Sequence, residues 1–185
     1  MALIRNPLKR VTMSTLIFDL ESTGLLRRGS QLHCIVIRDL VSPDTAEVYD
    51  NLSGGLISEG IERIVEADSV IGHNVIGFDL PLLKELDPEF KIRGQAIDTL
   101  VLSQLYYSNM SDKDHAKQMA GMPLRLYGRH SLEAWGYRLK VLKGDFGKQN
   151  NAWKVYTPEM RDYCIQDTEV TLKLWELMTR RFVDA

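Results

Sequence analysis

The chain has 185 residues, of which 44% are hydrophobic and 26% charged, so it is long enough to bury a core and not composed like a disordered polymer. A formal net charge of −2 argues against a tight, non-specific coat on nucleic acid, but it allows a nuclease, because bound cations offset an acidic site. No stretch approaches the roughly 20 apolar residues of a membrane span, and Cys34 and Cys164, both in apolar contexts, form neither a disulfide framework nor a short-spaced metal pair.

Residues 1–13 are expected to be a poorly ordered tail, and 14–185 a single domain of a cytoplasmic protein with no membrane partner. Residues 15–20 (TLIFDL) read as a buried strand that Gly24 terminates. Residues 32–40 and 46–52 read as two more strands, separated by the turn signal SPDT. Their short connections favour antiparallel pairing. The period then changes: Leu56, Ile57, Ile61, Ile64 and Val65 predict an amphipathic helix over 56–67. Residues 69–72 form a short strand and 79–86 a helix, with Pro81 in its first turn. Ala96 and Ile97 close a fifth strand, and Asp98 or Thr99 caps a helix running to Tyr106.

Residues 107–129 have the least regular pattern and read as a long loop region with one short helix. Ser131 caps a helix to Lys140, and Thr157-Pro158-Glu159 starts a last helix reaching about Arg181. The order describes an α/β fold, with a mixed five-stranded sheet, its first three strands antiparallel, and helices packed on it. Residues 112–154 hold nine Lys/Arg against four Asp/Glu. That excess is either a solvated surface or a track for a nucleic-acid backbone using Arg125, Arg129, His130 and Lys140.

Three short motifs carry chemistry. Asp19 and Glu21 lie two apart on a strand and so point to one face. Such a pair repels unless a cation lies between, and hard ions such as Mg²⁺ or Mn²⁺ suit oxygen ligands. Ser22, Thr23 and Gly24 follow, small enough for a phosphate or sugar to approach. Leu25 beside them packs in the core or lies against a base. The second motif, GHNVIGFD, places Asn74 in a turn and Asp79 at a helix start, where a carboxylate also serves as an ordinary dipole partner. In the third, Tyr163 and Asp167 are i and i+4 on one helix face. Each acid alone has an ordinary structural explanation. His73, Trp135 and Trp153 read as turn and packing residues.

Taken together, FDLESTG, GHNVIGFDLPLL and YCIQDTEVT resemble the three motifs of the DEDD 3'-5' exonucleases of the ribonuclease H-like fold, in the subgroup whose third motif carries a tyrosine. IDTLVLS at 97–103 and SLEAWGYRL at 131–139 resemble the exonuclease domain of phage replicative DNA polymerases. The resemblance covers roughly 15–180. It implies two divalent ions per site, Mg²⁺ or Mn²⁺, about 4 Å apart. Asp19 would bridge them, Glu21 and Asp167 would complete one site, and Asp79 would hold the other. Tyr163, whose hydroxyl ordinarily has a pKa near 10, would orient the attacking water rather than deprotonate it.

The resemblance further implies that Ser22, Thr23, Leu25 and Asn74 contact the terminal nucleotide. The substrate would be single-stranded DNA or a frayed 3' end, cut in a bacterial or phage-infected cell. With no room for a polymerase domain, proofreading would call on a separate polymerase. The competing readings are an RNA-trimming exonuclease with the same five residues and a non-catalytic module that binds nucleic acid or a polymerase.

Overall fold

The computed structural model describes residues 13–24, 29–119, 121–141 and 153–183. Of the expected tail, residues 1–12 lie outside the described residues. Five strands form one sheet in the order β3-β2-β1-β4-β5. β1 (Thr15–Ser22), β2 (Leu32–Asp39) and β3 (Glu47–Tyr49) are antiparallel, and β4 (Ser69–Gly72) and β5 (Gln95–Asp98) add in parallel beside β1. The helices are α1 (Ile57–Glu66), α2 (Asp79–Leu86), α3 (Thr99–Tyr106), α4 (Met110–Lys117), α5 (Leu132–Leu139) and α6 (Pro158–Val183). No helix among the described residues is long and apolar enough to cross a membrane.

Alternation along β1 divides the molecule. Leu16, Phe18 and Leu20 face α1 and α2, packing with Ile64, Leu82 and Leu83. Ile17 faces the opposite way, towards Leu172 of α6. Because strand side chains alternate, Asp19 and Glu21 share that second face with Ile17. α6 is seated there by Arg38 of β2, which is only 6% exposed. Its Nε donates to Thr168 Oγ1 at 3.0 Å and its Nη1 to the Pro43 carbonyl at 3.0 Å. A buried guanidinium has few places to find acceptors, so this contact fixes the position of α6 along the sheet.

The helix starts follow local chemistry. Asp98, not Thr99, caps α3, its carboxylate accepting from the Leu100 and Val101 N–H groups. Ser131 caps α5 and Thr157 Oγ1 accepts from Met160 N at the start of α6. β3 is shorter than residues 46–52 suggest. Asp50 ends it by accepting from Leu52 N, Gly54 N and Ser53 Oγ, so side chain to backbone bonds replace the ladder there. The expected loop region of 107–129 contains α4 and a 3₁₀ turn, Leu124–Leu126. This part closes around the ion pair of Asp114 and Arg138, whose side chains are 3% and 7% exposed.

Candidate active site

The acids converge at the C-terminal end of β1. The antiparallel register sets Asp19 opposite Val36 and Glu21 opposite Cys34, and the register shifts between Glu21 and Ser22, which pairs with Leu32. Asp79 opens α2, so its carboxylate meets the positive end of a helix. Tyr163 and Asp167 come from the first half of α6 across the sheet. Asp19, Glu21, Asp79, Tyr163 and Asp167 line one cavity of about 180 Å³ together with Leu20, His73, Asn74, Phe78 and Trp153. The described lining includes no Lys or Arg.

Glu21, Asp79 and Asp167 are 8%, 4% and 6% exposed, so water screens their charges poorly. Burial pushes the Asp79 carboxyl well above the usual aspartate range, and the neighbouring charge of Asp19 adds to this. N–H groups of Asp79 itself and of Leu20 oppose the shift but do not reverse it. Four carboxylates with no cationic side chain on the described wall form a set of hard oxygen donors, the kind that Mg²⁺ or Mn²⁺ takes. The residues present therefore fit divalent ions.

Cys164, whose sequence context marks only a buried thiol, also reaches this site. Its Sγ donates to Asp19 Oδ2 at 3.4 Å, and the thiol, Asp19 and Glu21 present donor atoms within 4.8 Å of one another. Burial raises the thiol pKa, with a hydrogen bond to the free thiol of Cys34 and the charges of Asp19 and Glu21 acting in the same direction. It therefore stays protonated and orients Asp19 as a donor. Asp98 was read only as a cap, yet it also accepts from Asn74 N at 3.0 Å and Ile76 N at 3.1 Å. It thus shapes the turn that delivers Asp79. Asn74 adopts φ 66, and a Cβ on Gly77 would stand 2.5 Å from Asn74 Oδ1, so only glycine lets that side chain fold over.

The sequence-predicted substrate contacts separate. Asn74 lines the acid cavity. Ser22 lines an adjacent slot of about 310 Å³ with Glu21, Gly24, Phe78 and Trp153. Thr23 instead closes the β1–β2 turn, its Oγ1 accepting from Gln31 N at 2.9 Å. Leu25 lies outside the described residues. Trp135 packs in the core, 2% exposed, whereas Trp153 lines both cavities and is not simply a packing residue. His73 lines the acid cavity while its Nδ1 meets Thr99 Oγ1 at 2.9 Å. In the basic stretch, Arg125 pairs with Glu133 and His130 Nδ1 meets Ser103 Oγ, while Arg129 and Lys140 are exposed.

The sequence model of a family described as "3'-5' exonuclease" matches residues 4–182. The DNA-directed DNA polymerase of Escherichia phage T7 is 31% identical over 182 residues, covering 87% of this chain and 26% of that protein. The corresponding enzyme of Enterobacteria phage T3 is 32% identical with the same coverage. The chain thus spans about a quarter of the length of these polymerases. Among solved structures, Brucella melitensis NrnC bound to pGG has a TM-score of 0.63 at 18% identity, covering 96% of this chain and 77% of that one. Escherichia coli RNase D gives 0.52 at 16% identity, covering 91% and 39%. At such identities these neighbours show a shared fold, that of the ribonuclease H-like exonucleases.

Proposed function

The chain belongs to the 3'-5' exonuclease family, a family of divalent-metal-dependent hydrolytic nucleases, and from that premise we propose that it removes nucleotides from 3' ends of DNA. The observation that carries the proposal is the convergence of Asp19, Glu21, Asp79, Asp167 and Tyr163, from β1, α2 and α6, on one cavity whose described lining includes no Lys or Arg. Two Mg²⁺ or Mn²⁺ ions bound there would activate a water and stabilise the leaving oxygen. Asp19 would help to hold both ions, with Glu21 and Asp167 completing one position and Asp79 the other. Cys164 keeps the Asp19 carboxylate in one orientation. Tyr163 orients the attacking water. Asn74 steadies the sugar–phosphate, and the apolar slot at Ser22, Gly24 and Phe78 takes the terminal base. The 31% identity to phage polymerases favours DNA, as single strands or frayed ends.

A second reading, trimming of RNA or short oligonucleotides, has support in the fold likeness to NrnC, solved with pGG, and to RNase D, an exoribonuclease involved in structured RNA processing. The test is digestion of end-labelled single-stranded DNA, mismatched duplex DNA and RNA of the same sequence, with and without Mg²⁺ or Mn²⁺. DNA should be shortened from its 3' end, only with metal, by the chain alone. Asp19→Ala or Asp167→Ala should cut the rate on the order of a thousandfold with an unchanged circular dichroism spectrum. A folded variant of either kind that digests DNA normally would remove the assignment. Failure to cleave with either metal would favour a binding module.

A further inference from the structure

The acid cavity and the apolar slot share three walls: Glu21, Phe78 and Trp153. Trp153 also touches Tyr163. The two rings meet edge to face, with centroids 5.7 Å apart and planes at 73°. Pairs of this geometry hold each other's orientation through the ring quadrupoles, beyond the area they bury.

Trp153 is half-buried, and its own position is fixed from the sheet. Its carbonyl oxygen faces His33 Nε2 on β2 at 3.0 Å, a contact that requires the proton on that nitrogen. Three residues later, Tyr156 stacks on the same imidazole, with ring centroids 6.3 Å apart at 26°. The Tyr156 hydroxyl donates to buried Asp50 at 2.7 Å. The segment entering α6 is thus tied to β2 and to the end of β3. Trp153 stands on that tied segment, between the slot and the tyrosine.

We propose that Trp153 is a positioning residue that couples the two cavities: a nucleobase in the slot packs against its indole, and the indole sets the ring of Tyr163. The coupling rests on the reading of Tyr163 given above. It predicts that the enzyme senses whether its terminal nucleotide carries a base. An end without one would leave the indole unsupported on the slot side and Tyr163 less well placed. The phosphodiester to be cut is the same in both cases. The difference should therefore appear in kcat more than in KM.

The test uses the full chain with Mg²⁺ or Mn²⁺ and two single-stranded DNAs, one ending in an ordinary 3' nucleotide and one in an abasic tetrahydrofuran nucleotide. Wild type should turn over the base-bearing end about tenfold faster. Trp153→Ala should lower kcat by about tenfold and abolish that preference, and Trp153→Phe, which keeps an aromatic edge, should restore most of both. In a Tyr163→Phe background, Trp153→Ala should cost less than about twofold, because residues acting as a unit are not additive. Additive losses with the base preference intact would make Trp153 a purely structural residue, overturning the coupling while leaving Tyr163 in place. Unchanged kinetics for Tyr163→Phe alone would remove both readings. Binding supplies a readout without turnover: a deoxynucleoside 5'-monophosphate should quench indole emission in wild type and not in Trp153→Phe, while deoxyribose 5-phosphate should quench neither. Equal quenching in both proteins would exclude the base contact.

Discussion

Asp79 and Asp114 are both buried aspartates, 4% and 2% exposed, and the protein treats them in opposite ways. Asp114 lies between α4 and α5. Arg138 Nη2 and Nε donate to its two oxygens at 2.6 and 3.0 Å, and Gly128 N donates at 2.9 Å. Burial raises its pKa, but the Arg138 and Gly128 bonds together outweigh that and hold it below the ordinary value. Asp79 faces Asp19 instead of an arginine, and burial leaves its pKa raised. One region carries its counter-charge as a side chain, whereas the described lining of the other includes no Lys or Arg and, in the proposed reading, takes its positive charge from metal ions. Asp114, a structural acid, and Asp79, proposed as an acid for metal chemistry, thus differ in the sign of their shift and not in how deeply they are buried.

The largest expected effect lies in the first region. Arg138→Ala leaves Asp114 buried without its cation and should cost about 3 kcal/mol, roughly 10 °C in melting temperature. A loss below about 1 kcal/mol would mean that Asp114 is reached by water and is not the paired acid described. In the second region the sign inverts. Mg²⁺ at a hundredfold excess over its dissociation constant should stabilise the wild type by about 2.7 kcal/mol. Asp79→Asn should lose part of that gain while being no less stable than wild type without metal. A markedly destabilised metal-free Asp79→Asn protein would place Asp79 with the structural acids.

The pH response should be smaller and should separate the two acids directly. Asp114 has a depressed folded pKa, so its contribution is present above the ordinary aspartate value near 4 and is lost as pH falls through the folded value. Asp79 has a raised folded pKa. Its contribution is present below about 4 and is lost as pH rises through the folded value. Thermal melts of metal-free protein should therefore show an acid-side loss that Asp114→Asn alters, and a separate decline as pH rises above about 4 that Asp79→Asn or added Mg²⁺ flattens. A decline with rising pH unchanged by either would contradict the assignment.

Much of this was legible before any coordinates. The hydrophobic run ending in Asp19-Leu20-Glu21, the Thr157-Pro158-Glu159 start of α6 and the i, i+4 spacing of Tyr163 and Asp167 are local signals, and local signals survive into the fold. What escaped was set by long-range packing. Nothing around Cys164 says that its thiol meets Asp19, 145 residues earlier in sequence. Nothing around Trp153 places it against Tyr163, because the contact depends on His33 and Asp50 holding the segment between them. Asp98 looked like a cap and is one. Its second oxygen, which reaches Ile76 N on the turn before α2, belongs to tertiary structure. β3 stops short of residue 52 because Asp50 competes for backbone donors in a way that strand propensity does not describe.

The seating of α6 on the sheet by Arg38 and Thr168 has a consequence for the timing of synthesis. Asp19 leaves the ribosome early, whereas Asp167 and the helix that carries it emerge late. Until α6 docks, the nascent chain holds only part of its acid set and cannot assemble the complete cleft. Any cleavage by this acid set is thus withheld until the last helix has docked on the sheet.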